Sequence, residues 1–141
     1  MSGKYLIFGA TGSIGSNLAK LMASKKQNVH LIGRDENGLN ALSSELGCKY
    51  SVVDVLDEQS VKNLKNEFEG QGIAGMAYCV GSIDLKPVRA VKKDDIMKCF
   101  DLNFFPIVET VKNFQDNLKK NKGSIVMFST VAVQRLSLIH I

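Results

Sequence analysis

Lys4-Tyr5-Leu6-Ile7-Phe8-Gly9-Ala10-Thr11-Gly12-Ser13-Ile14-Gly15 decides the fold of this chain. An apolar run too short for a helix breaks at a glycine, and a helical pattern of Ile14, Leu18, Leu21 and Met22 begins at once. This reads as a strand, a tight turn and a helix. Glycines three apart each have a physical use there: the first lets the strand turn, the second lets backbone N–H groups approach an anion, and the third lets helix and strand pack closely. The N-terminus of the helix adds unpaired N–H donors and a positive dipole, which suits a pyrophosphate. The candidate contacts are therefore Gly9, Thr11, Gly12, Ser13, Ile14 and Gly15. The spacing is G-x-x-G-x-x-G rather than the commoner G-x-G-x-x-G. There is no G-x-x-x-x-G-K-[ST] loop in the sequence, which argues against a nucleoside triphosphatase.

Outward from this turn, short apolar runs alternate with longer amphipathic ones. Strands are expected at Lys4–Gly9, Asn28–Gly33, Lys49–Val55, Ile73–Gly81 and Ser124–Ser129, each apolar on both faces as in a covered parallel sheet. Helical spacing recurs at Leu39, Leu42 and Leu46, and at Val61, Leu64 and Phe68. The segment Lys93 to Lys120 predicts one long helix bent by Pro106, with Asp94 and Asp95 in its first turn, Lys119 and Lys120 in its last, and Gly123 as its stop. Right-handed crossovers then give an α/β, doubly wound parallel sheet of about five strands in the order 3-2-1-4-5, with helices on both faces.

The 141 residues, 45% hydrophobic and 23% charged, suit one domain with a real core and exclude disorder and low-complexity readings. The net charge of +4 is scattered in pairs such as Lys25-Lys26 and Lys92-Lys93, which disfavours a nucleic-acid partner. Three cysteines, Cys48, Cys79 and Cys99, lie in apolar runs without metal-ligand spacing, so they are expected to be buried reduced thiols and no metal is expected. No apolar stretch reaches the roughly 20 residues that cross a bilayer, so the expectation is a cytoplasmic protein without a membrane partner.

Gly33-Arg34-Asp35 stands at the tip of the second strand, where a dinucleotide fold reads the adenosine ribose. Gly33 places no acid at the tip, and Arg34 offers charge-assisted bonds to a phosphate, favouring NADP(H), with NAD(H) as the alternative. Asp35 opposes that preference, because its carboxylate is within reach of the same ribose.

From Lys4 to about Arg135 the chain resembles the N-terminal part of the short-chain dehydrogenase/reductase family, NAD(P)-dependent oxidoreductases on a Rossmann-type domain. The resemblance assigns Asp54-Val55 to the family's Asp-Val element, in which the acid contacts the adenine amine. It sets Tyr78-Cys79-Val80-Gly81 where the family has Asn-Asn-Ala-Gly, keeping Val80 and Gly81 beside the cofactor through their backbone. Asn103 resembles the helix asparagine that holds a water in the proton relay. Ser129-Thr130 resembles the Ser-Ser pair whose second member polarises the substrate carbonyl, and either hydroxyl is a candidate.

The family's Tyr-x-x-x-Lys pair is not in the sequence. Its tyrosine is expected about 13 residues beyond Thr130, where the sequence ends, and Tyr5, Tyr50 and Tyr78 have no lysine four positions later. The final Leu136-Ser137-Leu138-Ile139-His140-Ile141 is also the translation of CTG TCT CTT ATA CAC ATC, a transposon end used in sequencing-library preparation. The expectation is thus a cofactor-binding fragment over residues 1–135, inactive alone, followed by a non-native tail at 136–141. The activity implied for the complete protein is hydride transfer between nicotinamide and a small carbonyl or alcohol, carried by a homo-oligomer. Two alternatives stand beside it: a non-catalytic NAD(P)-binding regulator, and an extended-type epimerase or dehydratase.

Overall fold

In the computed structural model, residues 3–129 are described; Thr130 and the 136–141 tail lie outside them. Five strands, β1 (Lys4–Phe8), β2 (Asn28–Gly33), β3 (Lys49–Val52), β4 (Ile73–Tyr78) and β5 (Ser124–Met127), form one parallel sheet in the order β3-β2-β1-β4-β5. The helices are α1 (Ser13–Ser24), α2 (Glu36–Leu46), α3 (Glu58–Glu67), α4 (Lys93–Asn103) and α5 (Phe105–Asn121). The expected doubly wound topology is the one observed.

Alternation along the central strands divides the core. Ile7, Val29 and Leu31 face α1 and α2, with Ala19, Leu39 and Leu42 against them. Leu6, Phe8 and Ile32 face the opposite layer, where Val61 and Leu64 of α3 meet Phe114 and Leu118 of α5. Phe8 anchors this second core, its ring 5.8 Å from Tyr78 and 6.0 Å from Phe114. Burial of one such phenylalanine contributes roughly 1.5–3 kcal/mol. Asn117 of α5 donates to the carbonyls of Phe68 and Gln71, tying that helix to the turn before β4.

Strand ends differ from expectation in one consistent way. Pairing stops at Phe8, Val52, Tyr78 and Met127 rather than at Gly9, Val55, Gly81 and Ser129. Gly9 has left-handed backbone (φ +74°) and turns the chain out of the sheet. Beyond it single bonds persist, Cys79 N–H to the Phe8 carbonyl at 2.9 Å and Val53 N–H to the Gly33 carbonyl at 2.7 Å. The strands splay there, and the apolar residues counted as strand line a cleft instead.

The long helix is two helices. Pro106 has no N–H for the ladder, and the N–H of Ile107 turns back to Phe104, so the chain breaks at Phe104 (φ −124°, ψ −61°). The acidic first turn and basic last turn stand as expected. The stop does not: Lys122 carries the left-handed conformation (φ 50°), and Gly123 is required because a Cβ there would meet the Ile73 carbonyl at 2.3 Å. The cysteines also depart from expectation. Cys48 and Cys79 are half-buried and Cys99 is exposed, because α4 turns that face to solvent.

Candidate functional site

The carboxyl ends of β1 to β4 open into a cleft of about 380 Å³. It brings together Gly9, Thr11, Gly12, Arg34, Asp54, Val55, Val80 and Gly81 of the expected residues, and adds Gly33, Val53, Leu56, Cys79, Ser82 and Leu102. Ser82 and Leu102 carry no motif. Their place comes from backbone geometry and from the turn of α4, which residue type does not announce.

The glycine turn is a close-packed cradle. A Cβ on Gly15 would lie 2.2 Å from the Gly9 carbonyl oxygen, and one on Gly9 would lie 2.9 Å from the Cys79 carbonyl carbon. The turn is held down by the N–H groups of Gly9 and Ala10, which share the Ile32 carbonyl at 2.9 and 3.0 Å. Helix α1 begins after Gly12 with no side-chain cap, and its first bond runs from Ser16 N–H to the Gly12 carbonyl. The N–H groups of Ser13, Ile14 and Gly15 therefore precede the ladder, which is the donor set an anion takes at a helix start. Ser13 and Ile14 do not line the cleft with their side chains; Gly15 is buried beneath the turn.

At the tip of β2 the two charged residues separate. Arg34 is exposed and lines the cleft. Asp35 is the N-cap of α2, its carboxylate accepting the Gly38 N–H at 3.2 Å. A Cβ at Gly38 would meet the Asp35 carboxylate at 2.5 Å and the Thr11 methyl at 3.0 Å, so both side chains pack against this glycine.

Asp54 Oδ1 accepts the Leu56 N–H at 3.0 Å, which fixes the turn after β3 while the residue still lines the cleft. Nearby, Tyr78 is buried among aromatic rings, its hydroxyl without a partner; burial, with the charge of Asp54, keeps the phenol protonated well above its usual range. Burial likewise pushes the Cys79 thiol up to about 11, so the cleft presents a neutral thiol and not a thiolate.

Asn103 stands at the last residue of α4 with its amide fully used. Oδ1 accepts the Ser82 N–H at 2.9 Å, and Nδ2 donates to the Ser82 and Cys99 carbonyls at 3.0 Å each. The side chain thus clamps the segment that follows β4. The Asn103 backbone carbonyl loses its helical donor at the break, because the Ile107 N–H goes to Phe104. Ser129 is exposed two residues beyond β5 and does not line the cleft; Thr130 lies outside the described residues. No cluster of three or more metal-ligating side chains occurs among the described residues, and no described helix is long and apolar enough to cross a membrane.

With this geometry in hand, comparison with known proteins is direct. The family described as short chain dehydrogenase matches residues 4–138. The chain belongs to that family. It is 30% identical over 135 residues to an uncharacterized oxidoreductase of Saccharomyces cerevisiae, covering 90% of this chain and 53% of that protein. An NADPH-dependent 1-acyldihydroxyacetone phosphate reductase of Schizosaccharomyces pombe is 28% identical over 118 residues, covering 82% of the chain and 40% of that protein. Among solved structures, a short-chain dehydrogenase/reductase of Saccharomyces cerevisiae superposes with a TM-score of 0.83 at 27% identity, over 92% of the chain and 54% of its own. The chain therefore spans about half the length of these relatives.

Proposed function

We propose that this chain is the cofactor-binding half of an NADP(H)-dependent oxidoreductase acting on a small carbonyl or alcohol. The observation that carries the reading is the separation at the tip of β2: Arg34 faces the cleft while Asp35 is bound to the N-terminus of α2. A guanidinium there makes charge-assisted bonds to a ribose 2′-phosphate, and with Asp35 held by α2 and a glycine at the tip, the carboxylate that would repel that phosphate is absent. The NADPH dependence in the name of the Schizosaccharomyces pombe relative supports the same choice.

The residues fit the cofactor on structural grounds. A Cβ at Gly9 or Gly15 would strike the backbone packed beneath the turn, so the turn requires glycine at both, and the uncapped start of α1 leaves its donors for the diphosphate. In this reading Gly9, Thr11, Gly12, Ser13, Ile14 and Gly15 hold the diphosphate, Arg34 the 2′-phosphate, Asp54 and Val55 the adenine, and Val80 and Gly81 the adjacent ribose. When bound, the nicotinamide supplies or accepts the hydride. Asn103 positions the segment after β4 and leaves its carbonyl for a relay water, and Ser129 or Thr130 provides the hydroxyl for the developing oxyanion. In this reading residues 1–135 are the cofactor half. Pairing of two copies through α4 and α5 is part of this reading, supported by Phe100, Phe104 and Phe105, each about half exposed.

Calorimetric titration of the whole protein tests it: NADPH should bind more tightly than NADH, and Arg34→Glu should shrink the difference. Tighter binding of NADH removes Arg34 from its role. Binding of either nucleotide without turnover on any carbonyl favours the regulatory alternative.

A further inference from the structure

The side chain of Thr11 has its direction set by two glycines on other elements. A Cβ at Gly38 would meet the Thr11 methyl at 3.0 Å, and a Cβ at Gly33 would stand 3.8 Å from Thr11 Oγ1. The methyl is thus turned to the first turn of α2 and the hydroxyl to the last residue of β2. A β-branched side chain carries both groups on one carbon, so packing the methyl also orients the hydroxyl. Oγ1 makes no hydrogen bond among the described residues, and Thr11 is exposed on the wall of the cleft. The tip of β2 therefore carries an oriented hydroxyl donor beside the guanidinium of Arg34.

Net charge discriminates poorly at this tip. Arg34 is the one cationic side chain among the described residues lining the cleft, Asp54 lines it too, and α2 opens with Asp35 and Glu36. The Asp35 carboxylate is taken up by the Gly38 N–H, and the helix dipole offsets acids in the first turn only in part. Little excess positive charge is left for an anion. Telling a ribose 2′-phosphate from a 2′-hydroxyl then depends on directed hydrogen bonds. A phosphate group presents three acceptor oxygens: a guanidinium fork takes two, and a neutral hydroxyl takes another without the desolvation cost of a second charge.

Resting on the NADP(H) reading above, we infer that Thr11 is a second specificity-determining residue of the cofactor site, its hydroxyl donating to the ribose 2′-phosphate beside Arg34. The backbone of Thr11 stays with the glycine turn and the diphosphate, while its side chain serves the ribose end of the adenosine. Gly38 belongs to the same arrangement, since a larger residue there would displace the methyl and the hydroxyl with it.

The test uses the whole protein and starts with the parent, which should bind NADPH more tightly than NADH by calorimetry; the reverse order overturns the Arg34 reading and this inference together. Thr11→Val keeps a methyl against Gly38 and removes only the hydroxyl. It should weaken NADPH binding about 10-fold or more, hold NADH within about 2-fold of the parent, and leave the melting temperature unchanged. Adenosine 2′,5′-bisphosphate against adenosine 5′-monophosphate should repeat the split, which assigns the loss to the 2′-phosphate and not to the nicotinamide half. Thr11→Ser retains the hydroxyl and should keep most of the preference. Equal weakening of NADPH and NADH in Thr11→Val puts the hydroxyl on a group that both cofactors share, and overturns the inference while leaving Arg34 in its role. An unchanged NADPH affinity in that variant overturns it as well.

Discussion

The carboxylate of Asp35 accepts the Gly38 N–H at 3.2 Å and so belongs to helix α2 rather than to the cleft that its neighbour Arg34 lines. An N-cap of this kind contributes roughly 1 kcal/mol. Asp35→Asn keeps an acceptor oxygen and should leave both stability and the NADPH preference nearly unchanged. Asp35→Ala should lower the unfolding free energy by about 1 kcal/mol, again without reversing the preference. Denaturant titration gives the first quantity and calorimetry the second. A strong loss of NADH affinity in Asp35→Asn would assign the carboxylate to a ribose and contradict its assignment to the cap.

Gly9 combines positive φ with a Cβ position 2.9 Å from the Cys79 carbonyl carbon. Gly9→Ala meets both a backbone it adopts poorly and a neighbouring strand that cannot recede, because Cys79 is itself bonded to Phe8. The expected cost is about 2 kcal/mol or more, with loss of nucleotide binding. Gly47, also left-handed (φ 64°) but with open space around its Cβ position, is the internal control. Gly47→Ala should cost only about 1 kcal/mol and leave nucleotide affinity as it was.

Much of the architecture is written in short-range pattern. Two-sided apolar runs such as Val29–Ile32 and one-sided helical spacing such as Val61, Leu64 and Phe68 impose the strand and helix order, and right-handed crossovers then leave little choice of topology. The glycine turn was legible for the same reason, since its demands are local. Where long-range geometry decides, pattern fails. The strand tips read as strand to Val55 and Gly81 because hydrophobicity continues there, yet the sheet splays to form the cleft. The break at Phe104 displaces to the residue before the Phe105-Pro106 start of α5. Asp35 reads as a carboxylate within reach of the ribose until the Gly38 N–H is seen 3.2 Å away. The part played by Ser82 is invisible in sequence because it is made through backbone atoms that every residue has.

Asn103 makes two hydrogen bonds, of 2.9 and 3.0 Å, that join α4 to Ser82 in the segment after β4, and a third of 3.0 Å to the Cys99 carbonyl of its own helix. Asn103→Ala removes them and leaves the Ser82 N–H and carbonyl to water, at an expected cost of about 1–3 kcal/mol. Asn103→Asp keeps the acceptor for Ser82 N–H but loses both donors, so its cost should fall between. Limited tryptic digestion should show the local consequence: faster cleavage after Arg89 in Asn103→Ala than in the parent protein. Equal cleavage rates would mean that the Lys86 pair with Asp95 alone holds the segment.

His30 supplies a pH dependence with a defined sign. The ring is 5% exposed on β2, its Nε2 is 2.8 Å from Ser51 Oγ, and Ser51 donates to Glu67 at 2.7 Å. Because the single Ser51 proton goes to the carboxylate, His30 donates from Nε2, and its Nδ1 is buried without a partner. A proton added at Nδ1 finds no acceptor, and burial together with Lys4 and Lys49 lowers the pKa from 6.5 to about 4. The folded pKa lies below the unfolded one, so between these values the unfolded chain binds more protons. Stability is then fully present above pH 6.5 and falls as the pH drops toward 4, by up to about 3 kcal/mol from this group. Urea unfolding at pH 7, 5.5 and 4.5 should show that decline, and His30→Gln should flatten its slope between pH 6.5 and 4. An unchanged slope in the variant would assign the acid sensitivity to the carboxylates instead.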